Sequence, residues 1–233
     1  MATPIGNLQD ITLRAIKVLF EADVIACEDT RRTGVLMDTM SAPYHSLRNG
    51  NSTAHRPQLL SYYEQNELRR IPEILSLLQK GQTVALISDA GTPAISDPGF
   101  KLIRECIRSG IKIEAIPGPT ALLTSLIVSG LPTDKFLYLG YPPLKLGHRM
   151  NFFKNVKGSL EYLKTTVIFY EAPHKLLRTL ENLQEVFGDI PLVVCRELTK
   201  VHEEVRRERI SESIEHFQKV NPKGEFVVLF HGV

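Results

Sequence analysis

The sequence predicts an α/β protein with mainly parallel sheets, and three observations support this prediction. Short runs of β-branched and apolar residues alternate along the chain with amphipathic stretches, which is the pattern of strand–helix–strand units. Several of the amphipathic stretches stop at a glycine, the residue favoured just beyond the end of a helix. The 233 residues, of which 43% are hydrophobic, are enough to bury a substantial core in one large domain or two small ones.

Six segments are predicted to be strands because they are short, apolar and rich in Val and Ile. In chain order they are Val24–Cys27, Val84–Ser88, Lys112–Ile116, Thr166–Tyr170, Leu192–Cys195 and Phe226–Phe230. Helices are predicted between them, where apolar residues recur at helical spacing. They cover Thr12–Ala22, with Asp10 as a candidate N-cap, Glu67–Lys80, Phe100–Ser109, Thr120–Ser129 and His174–Phe187.

Two polar segments differ from the rest of the chain. Residues 38–58 are broken by Pro and Gly, which predicts a long exposed loop. Residues 141–158 begin with Pro142-Pro143 and are basic, which makes them a candidate linker before a second domain. Residues 145–178 hold seven Lys or Arg and two Glu. Such a run is either a solvated face or a surface that binds a nucleic-acid backbone.

Composition and missing motifs exclude several classes of protein. The 28 Lys and Arg nearly balance the 26 Asp and Glu, so the net charge neither requires nor excludes a nucleic-acid partner. Cys27, Cys106 and Cys195 are far apart and form no CxxC pair. This argues against a disulfide scaffold or a zinc site, and it predicts a reducing cytoplasm. No apolar run approaches the ~20 residues of a membrane span. The GxGxxG, Walker A, HExxH and GxSxG signatures are all absent.

The unusual residues follow predicted strands, where ligands of open α/β sheets bind. Five strand ends carry charged clusters or Gly and Pro turns: Glu28–Arg32, Asp89–Pro93, Pro117–Ala121, Glu171–His174 and Arg196–Thr199. One such end is ordinary, whereas five in one chain predict a lined cleft.

Each of these motifs also has an ordinary structural interpretation. Gly91 allows the backbone to approach an anionic group closely, or its segment simply forms two β-turns capped by Asp and Ser. In the EDTRR segment, Arg31 and Arg32 hold phosphate beside two carboxylates. The alternative for that segment is a helix cap with a surface ion pair.

Beyond single motifs, the sequence resembles one branch of the tetrapyrrole-methylase superfamily, the branch that methylates ribosomal RNA. The resemblance runs from end to end through TPIGNLQDITLRAI, ACEDTRRTGVL, LLSYYEQNE, LISDAGTPAISDPGF, IPGPTALLTSLIVSGL, FYEAPHKLLRTL and CRELTKVHEE. It implies an N-terminal α/β domain over residues 1–118 and a C-terminal one over 119–233, with S-adenosylmethionine in the cleft between them. It also implies a cytoplasmic homodimer that 2′-O-methylates a cytidine ribose of 16S rRNA, in the decoding region of the small ribosomal subunit.

The resemblance also implies which residues do this work. The cofactor contacts would be Asp89, Ala90, Gly91, Thr92, Pro93, Ser96, Asp97, Thr120, Ala121, Tyr170, Glu171, Ala172, Arg196 and Leu198. Methyl transfer to a ribose needs an aligned hydroxyl and removal of its proton. The candidate carboxylates for base or orienting group are Glu28, Asp29 and Glu197, with Asn66 a weaker candidate. The candidate phosphate contacts are Arg31, Arg32, Arg149, Lys154, Lys175 and Lys200. Neither a metal nor a membrane is expected as a partner.

The sequence departs from the family pattern at its first motif. The family has a hydrophobic strand before TPIGN, whereas this sequence opens with MATPIGN. Since a missing strand would expose a sheet edge, we expect either a truncated start or another segment that covers that edge. Val205-Arg206-Arg207 stands where a Trp-Arg-Gly-like stretch is common. DAGTP replaces the GDP-type loop of tetrapyrrole-modifying relatives, which favours RNA as the substrate. Three other functions stay open: methylation of a small tetrapyrrole, RNA binding without catalysis, and an α/β domain whose motifs are only turns.

Overall fold

The computed structural model describes residues 1–47 and 56–232, and the chain divides into two units. Unit 1 is Met1–Thr120 and unit 2 is Ala121–Val233. Each unit combines helices with a β-sheet of its own, which confirms the α/β prediction. None of the helices in the described residues is long and apolar enough to cross a membrane.

Unit 1 is built on a three-stranded parallel sheet. Its elements are a 3-10 turn (Leu8–Asp10), α1 (Leu13–Glu21), β1 (Val24–Cys27), α2 (Thr30–Leu47), β2 (Gln58–Ser61), α3 (Glu67–Gln79), β3 (Val84–Ile87) and α4 (Phe100–Arg108). The strand order is β2-β1-β3, and Cys27 is paired with Ser61 on one side and with Ile87 on the other. The carboxyl ends of the three strands therefore lie at one edge of this sheet.

The central strand β1 is buried on both faces. Ile25 and Cys27 pack in one cluster with residues of α1 and α2, whereas Val24 and Ala26 pack in another with residues of α3 and α4. Alternate residues of a strand point to opposite faces, so a strand covered on both faces is apolar throughout. This is why β1 could be predicted from its sequence.

The cap of α1 differs from the predicted one. Thr12 is the N-cap, and its hydroxyl oxygen accepts a hydrogen bond from the Ala15 N–H at 3.1 Å. Asp10 lies in the preceding 3-10 turn, so the prediction of Asp10 as the cap is wrong. A short oxygen-bearing side chain caps a helix only from the position directly before it, because there it reaches the free N–H groups of the first turn.

The predicted loop over residues 38–58 is wrong for its first ten residues, because α2 continues through them. One face of α2 is a buried apolar stripe that runs from Met37 through Met40 to Tyr44. The Tyr44 ring stacks on Phe20, with 4.5 Å between the ring centroids. Burial of this stripe outweighs the low helix propensity of the polar residues and the proline around it. Residues 48–55 lie outside the described residues, and Gln58 already begins β2.

The prediction of a strand over Lys112–Ile116 is also wrong, since this segment is mostly exposed and is not part of a sheet. Its last residue, Ile116, accepts a hydrogen bond from the Ala2 N–H at 3.1 Å. The amino group of Met1 donates to the Leu86 carbonyl of the edge strand β3 at 2.9 Å. The first residues of the chain thus bond both to this segment and to the edge strand β3.

Gly99, directly before α4, has a backbone conformation that other residues rarely adopt. Its φ is 144°, and an added Cβ would lie 2.9 Å from Leu86 Cδ2. We expect Gly99→Ala to lower the free energy of unfolding by about 1–3 kcal/mol in urea denaturation. Gly34→Ala is the matched control, because Gly34 lies within α2 and no described atom is within 4 Å of an added Cβ. Equal losses in the two variants would contradict this prediction.

Unit 2 is built on a five-stranded mixed sheet. Its elements are α5 (Ala121–Ser129), β4 (Phe136–Tyr138), α6 (Leu146–Tyr162), β5 (Thr166–Glu171), a 3-10 turn (Pro173–Lys175), α7 (Leu176–Phe187), β6 (Pro191–Arg196), β7 (Glu204–Arg209), α8 (Ile210–Lys219) and β8 (Phe226–His231). The strand order is β4-β5-β8-β6-β7. The β4–β5 pair is parallel, and the other three pairs of described strands are antiparallel.

The prediction of mainly parallel sheets is therefore confirmed in unit 1 and wrong in unit 2. Residues 197–203 join β6 to β7, and a parallel crossover needs a dozen or more residues. The predicted linker over 141–158 is wrong from residue 146 onward, because α6 occupies that stretch. Phe153 and Val156 of α6 pack in the main core of unit 2, against residues of β5, α7 and β8. The neighbouring basic residues Lys154 and Lys157 hide this apolar stripe in the sequence.

Candidate functional site

Three carboxylates meet at the carboxyl edge of the unit 1 sheet. Glu28 and Asp29 follow β1, and Asp89 follows β3. The Asp89 N–H donates to Glu28 Oε1 at 3.2 Å, and the Asp29 N–H donates to Asp89 Oδ1 at 3.2 Å. Arg32 Nη1 lies 3.2 Å from Asp89 Oδ2, which makes an ion pair. The fold thus brings together residues from two strand-end motifs that are sixty residues apart in the sequence.

The Asp29 carboxylate is held by Arg31. Arg31 Nε and Nη2 donate to its two oxygens at 3.1 and 2.8 Å, and the Arg31 N–H donates a third bond of 2.8 Å. These bonds lower the pKa of Asp29 to about 2. This is the helix cap with an ion pair that the sequence left open as the structural interpretation. A carboxylate held in this way is a weak proton acceptor at neutral pH.

Glu28 has a different environment. It is half-buried, and this burial raises its pKa above the ordinary value. The hydrogen bond from the Asp89 N–H lowers the pKa of Glu28, and so does the positive charge of Arg32. The negative charge of Asp89 raises the pKa further. A carboxylate with a raised pKa accepts a proton more readily near neutral pH than an ordinary one does. The pKa of Glu28 is thus shifted in the opposite direction from that of Asp29, although the two residues are adjacent in the sequence.

The DAGTP loop after β3 is held in a left-handed conformation by its neighbours. Gly91 has φ 76°, and the non-glycine residues Ala94 and Ser96 have φ 67° and 61°. Gly91 and Thr3 exchange backbone hydrogen bonds at 2.8 and 3.0 Å, and Thr92 Oγ1 donates to the Pro119 carbonyl at 3.2 Å. Strained backbone of this kind persists only where the surroundings over-determine it, and it clusters at ligand sites.

A cavity of about 180 Å³ lies beside these carboxylates, between the first turns of α2 and the amino-terminal loop. We call it the α2 cavity. Its apolar wall contains Pro4, Leu8, Val35, Leu36 and Ile87, and its polar wall contains Arg32, Thr33, Ser88 and Asp89. The sequence interpretation missed this cavity, because it assigned the TPIGN segment no role of its own and treated α2 beyond EDTRR as structural.

In unit 2, two candidate motifs lie on either side of one strand. Both Glu171, at the end of β5, and Arg196, at the end of β6, are paired with Phe226 of β8. Glu171 is buried, and its carboxylate accepts hydrogen bonds from the Ala172 N–H at 2.8 Å and from Thr179 Oγ1 at 2.5 Å. These bonds fix the 3-10 turn between β5 and α7, on which His174 and Lys175 stand. The structure thus brings two of the sequence motifs to one edge of the unit 2 sheet.

The Glu197 carboxylate is occupied by local bonds. Its Oε1 accepts hydrogen bonds from Lys200 Nζ at 2.8 Å and from the Glu225 N–H at 3.0 Å. Burial acts to raise its pKa, but these bonds outweigh burial and lower the pKa. Lys200 also contacts Glu225 Oε2 at 2.9 Å. Both Glu197 and Lys200 therefore stabilise the loop after β6, which contains the left-handed residues Glu197 and Thr199.

Two other candidate residues have structural partners. Arg149 is 5% exposed, its Nε donates to Asn182 Oδ1 at 2.8 Å, and its Nη1 donates to the Leu144 carbonyl at 3.0 Å. Asn66 is buried before α3, where its Oδ1 accepts a bond from the Tyr63 N–H at 2.8 Å. Arg149 therefore does not present its guanidinium to a surface ligand, and Asn66 closes a turn.

The remaining candidate residues occupy three kinds of position. The side chains of Arg31 and Arg32 are 90% and 70% exposed, and Lys154 is exposed on α6. Thr120 is the last residue of unit 1, and Ala121 begins α5 in unit 2. The remaining residues are all partly or fully buried; Tyr170 lies within β5, and the others follow strands: Ala90, Pro93, Asp97, Ala172 and Leu198.

Comparison with known proteins finds a matching family model and similar relatives over almost the whole chain. The family model described as Tetrapyrrole (Corrin/Porphyrin) Methylases matches residues 2–213. A protein of Thermotoga maritima, "Ribosomal RNA small subunit methyltransferase I", is 43% identical over 232 residues, which cover 100% of this chain and 96% of the relative. A protein of the same name from Hydrogenobaculum sp. is 46% identical and covers 97% of this chain and 92% of the relative.

Solved structures of methyltransferases share the fold. The methyltransferase CobJ aligns with a TM-score of 0.67 and 18% identity, covering 99% of this chain and 91% of CobJ. Uroporphyrin-III C-methyltransferase from Thermus thermophilus, complexed with S-adenyl homocysteine, aligns with a TM-score of 0.61 and 17% identity, covering 98% of this chain and 94% of that one. At these identities the likeness concerns the fold, whereas the relatives above share the sequence over almost their whole length. The chain belongs to the ribosomal RNA small subunit methyltransferase I family, within the tetrapyrrole methylases.

Proposed function

We propose that this protein transfers a methyl group from S-adenosylmethionine to the ribose 2′-hydroxyl of a cytidine in 16S rRNA of the small ribosomal subunit. The observation that carries the proposal is the contact between the EDTRR and DAGTP motifs, in which Glu28 accepts a bond from the Asp89 N–H. Relatives that share this sequence at 43–46% identity are named ribosomal RNA methyltransferases. Ribosomal subunits are made in the cytoplasm, so we place the protein in that compartment. We also propose that it is a homodimer.

The proposed cofactor residues belong to both units. In unit 1 they are Asp89, Ala90, Gly91, Thr92, Pro93, Ser96, Asp97 and Thr120; in unit 2 they are Ala121, Tyr170, Glu171, Ala172, Arg196 and Leu198. The DAGTP loop suits an adenosyl ligand because its residues are small and its left-handed backbone is held by Thr3 and Pro119. When bound, the sulfonium of S-adenosylmethionine supplies an electrophilic methyl group.

The protein's own contribution is to orient the ribose and to accept its proton. Glu28 is the proposed base, because its raised pKa favours proton uptake and its Oε1 holds only a single long bond of 3.2 Å from the Asp89 N–H among the described residues. The lowered pKa of Asp29 and that of Glu197 make both less suitable. We assign Asp29 to the orientation of Arg31, and Glu197 to the loop after β6.

The proposed RNA contacts are the cations that stand on the surface. Arg31, Arg32, Lys154 and Lys175 remain in this set, since each is at least partly exposed. Arg149 is left out because it is buried. Lys200 is left out because Glu197 and Glu225 neutralise its charge.

Lys154→Ala is expected to weaken RNA binding and to reduce its salt dependence. A cation that neutralises one phosphate contributes about 0.7–0.9 to the slope of log K against log[salt]. The slope measured by RNA titration over a series of salt concentrations should therefore become shallower by about that amount. Lys219→Ala is the control, because Lys219 is exposed but pairs with Glu215 at 2.6 Å on α8. An unchanged slope for Lys154→Ala would remove Lys154 from the set.

The proposed function is tested by transfer of labelled methyl groups. The assay compares small ribosomal subunits that lack the methyl mark with uroporphyrinogen as acceptors, and digestion of the RNA to nucleosides locates the label. We expect label on the 2′-oxygen of one cytidine. Label on uroporphyrinogen, or binding of RNA without any binding of S-adenosylmethionine in titration, would overturn the proposal.

A further inference from the structure

The α2 cavity lies within one hydrogen bond of the proposed base. Asp89 forms part of its polar wall, and the Asp89 N–H donates to Glu28 Oε1 at 3.2 Å. A group that contacts Asp89 in the cavity therefore contacts the residue whose N–H bonds the Glu28 carboxylate. None of the cofactor positions implied by the family resemblance, apart from Asp89, lines this cavity in the described residues.

The cavity is lined by both apolar and polar groups. Val35 is 67% exposed and Leu8 is 43% exposed, so the cavity opens to solvent where these two apolar side chains lie. The Arg32 guanidinium, whose side chain is 70% exposed, stands beside this opening and pairs with Asp89. An apolar slot with a cation at its opening fits a ligand that has a planar ring and a phosphate attached nearby.

We propose that the α2 cavity binds the base of the target nucleotide, turned out of the RNA strand, while Arg32 contacts an adjacent phosphate. This inference rests on the proposed function and adds the subsite for the substrate. Sequence-specific RNA recognition mostly reads unstacked bases in loops, bulges and ends, and enzymes that act on a base turn it out of the stack. With its base in the cavity, the ribose of that nucleotide stands at the opening, on the side of Asp89 and Glu28.

The size of the cavity favours one heterocyclic ring. Its volume of about 180 Å³ is below the ~300 Å³ at which pockets begin to bury a whole drug-sized ligand. A tetrapyrrole contains four such rings joined in a macrocycle, so it does not enter.

The polar wall favours a base with an exocyclic amino group. Asp89 uses one oxygen to accept the Asp29 N–H and the other to pair with Arg32. Each carboxylate oxygen has two acceptor positions, so Asp89 keeps the capacity to accept from an amino group. Cytosine presents such a group, and uracil presents a carbonyl oxygen in its place. The cavity is therefore expected to prefer cytosine.

Val35→Trp tests the proposal, because the larger side chain fills the opening of the cavity. We expect kcat/KM for methylation of small subunits to fall by about tenfold or more, while the Kd of S-adenosylmethionine changes by less than about twofold. Asp38→Trp is the matched control. Its side chain is 69% exposed on the same helix and is not in the cavity wall, so we expect activity close to that of the wild type.

Direct binding provides the second measurement, and it does not depend on the folding of a variant. In methyl NMR of the wild-type protein, cytidine monophosphate should shift the signals of Val35, Leu36 and Ile87, and uridine monophosphate should bind more weakly. Shifts confined to other residues, or equal affinity for the two nucleotides, would overturn the assignment. Full activity of Val35→Trp would also overturn it while leaving the proposed function intact. A wild-type protein that methylates no RNA would instead overturn the proposed function, and the subsite with it.

Discussion

Glu28→Gln is expected to lower kcat for RNA methylation by about 10²–10⁴-fold, the usual contribution of a general base. The amide has the same shape as the carboxylate, and its oxygen still accepts the bond from the Asp89 N–H. It cannot take up a proton from the ribose. The Kd of S-adenosylmethionine, measured by calorimetry, should therefore stay unchanged while single-turnover methylation becomes slow.

The pH dependence of the rate identifies the same residue. Burial raises the pKa of Glu28 above the ordinary value, so its base form is lost at a higher pH than that of an ordinary carboxylate. The wild-type rate should rise with pH through this raised pKa, and the rise should be absent in Glu28→Gln. An ordinary carboxylate acting as the base would give the same rise at a lower pH.

Asp29→Asn and Glu197→Gln are the matched controls for Glu28→Gln. Both carboxylates are bonded to neighbouring cations and have lowered pKa values, so each substitution should act on the KM for RNA or on stability rather than on the chemical step. A wild-type rate for Glu28→Gln, or a larger loss of kcat for Asp29→Asn, would assign the proton transfer to another group.

Arg149→Ala is expected to destabilise the protein by about 2–4 kcal/mol, because hydrogen bonds to a buried charged group are strong and their loss leaves buried acceptors unpaired. Arg149 is 5% exposed and donates to Asn182 and to the carbonyl groups of Pro143 and Leu144. These bonds tie the start of α6 to α7 and to the segment before α6. The loss is measured as the change in the free energy of unfolding in urea.

Lys154→Ala is the control for Arg149→Ala on the same helix. Lys154 is exposed, and surface substitutions usually change stability by less than about 0.5 kcal/mol. The two variants should therefore change different properties. Arg149→Ala lowers stability, whereas Lys154→Ala weakens RNA affinity and reduces its salt dependence. If Arg149→Ala unfolds like the wild type but binds RNA weakly, Arg149 belongs with the RNA contacts after all.

The sequence by itself determined the family, the α/β class and most element positions. β1, β3, β5, β6 and β8 are apolar because they are covered on both faces, and such strands stand out in a sequence. The glycines after α3, α4 and α7 mark helix ends, because left-handed backbone favours glycine there. The motifs at the strand ends also follow from local order, since a residue after a strand stands at the edge of its sheet.

Only the tertiary structure decided which of those motif residues can act. Residues 38–47 are helical because Met40 and Tyr44 find a core to pack against, whereas Lys112–Ile116 is mostly exposed and joins neither sheet. Three candidate carboxylates look alike in the sequence, yet Asp29 and Glu197 are bonded to cations, whereas Glu28 is half-buried beside Asp89. Burial and pairing depend on residues distant in the chain, so local pattern predicts the positions of elements, and contacts between elements determine the chemistry of their side chains.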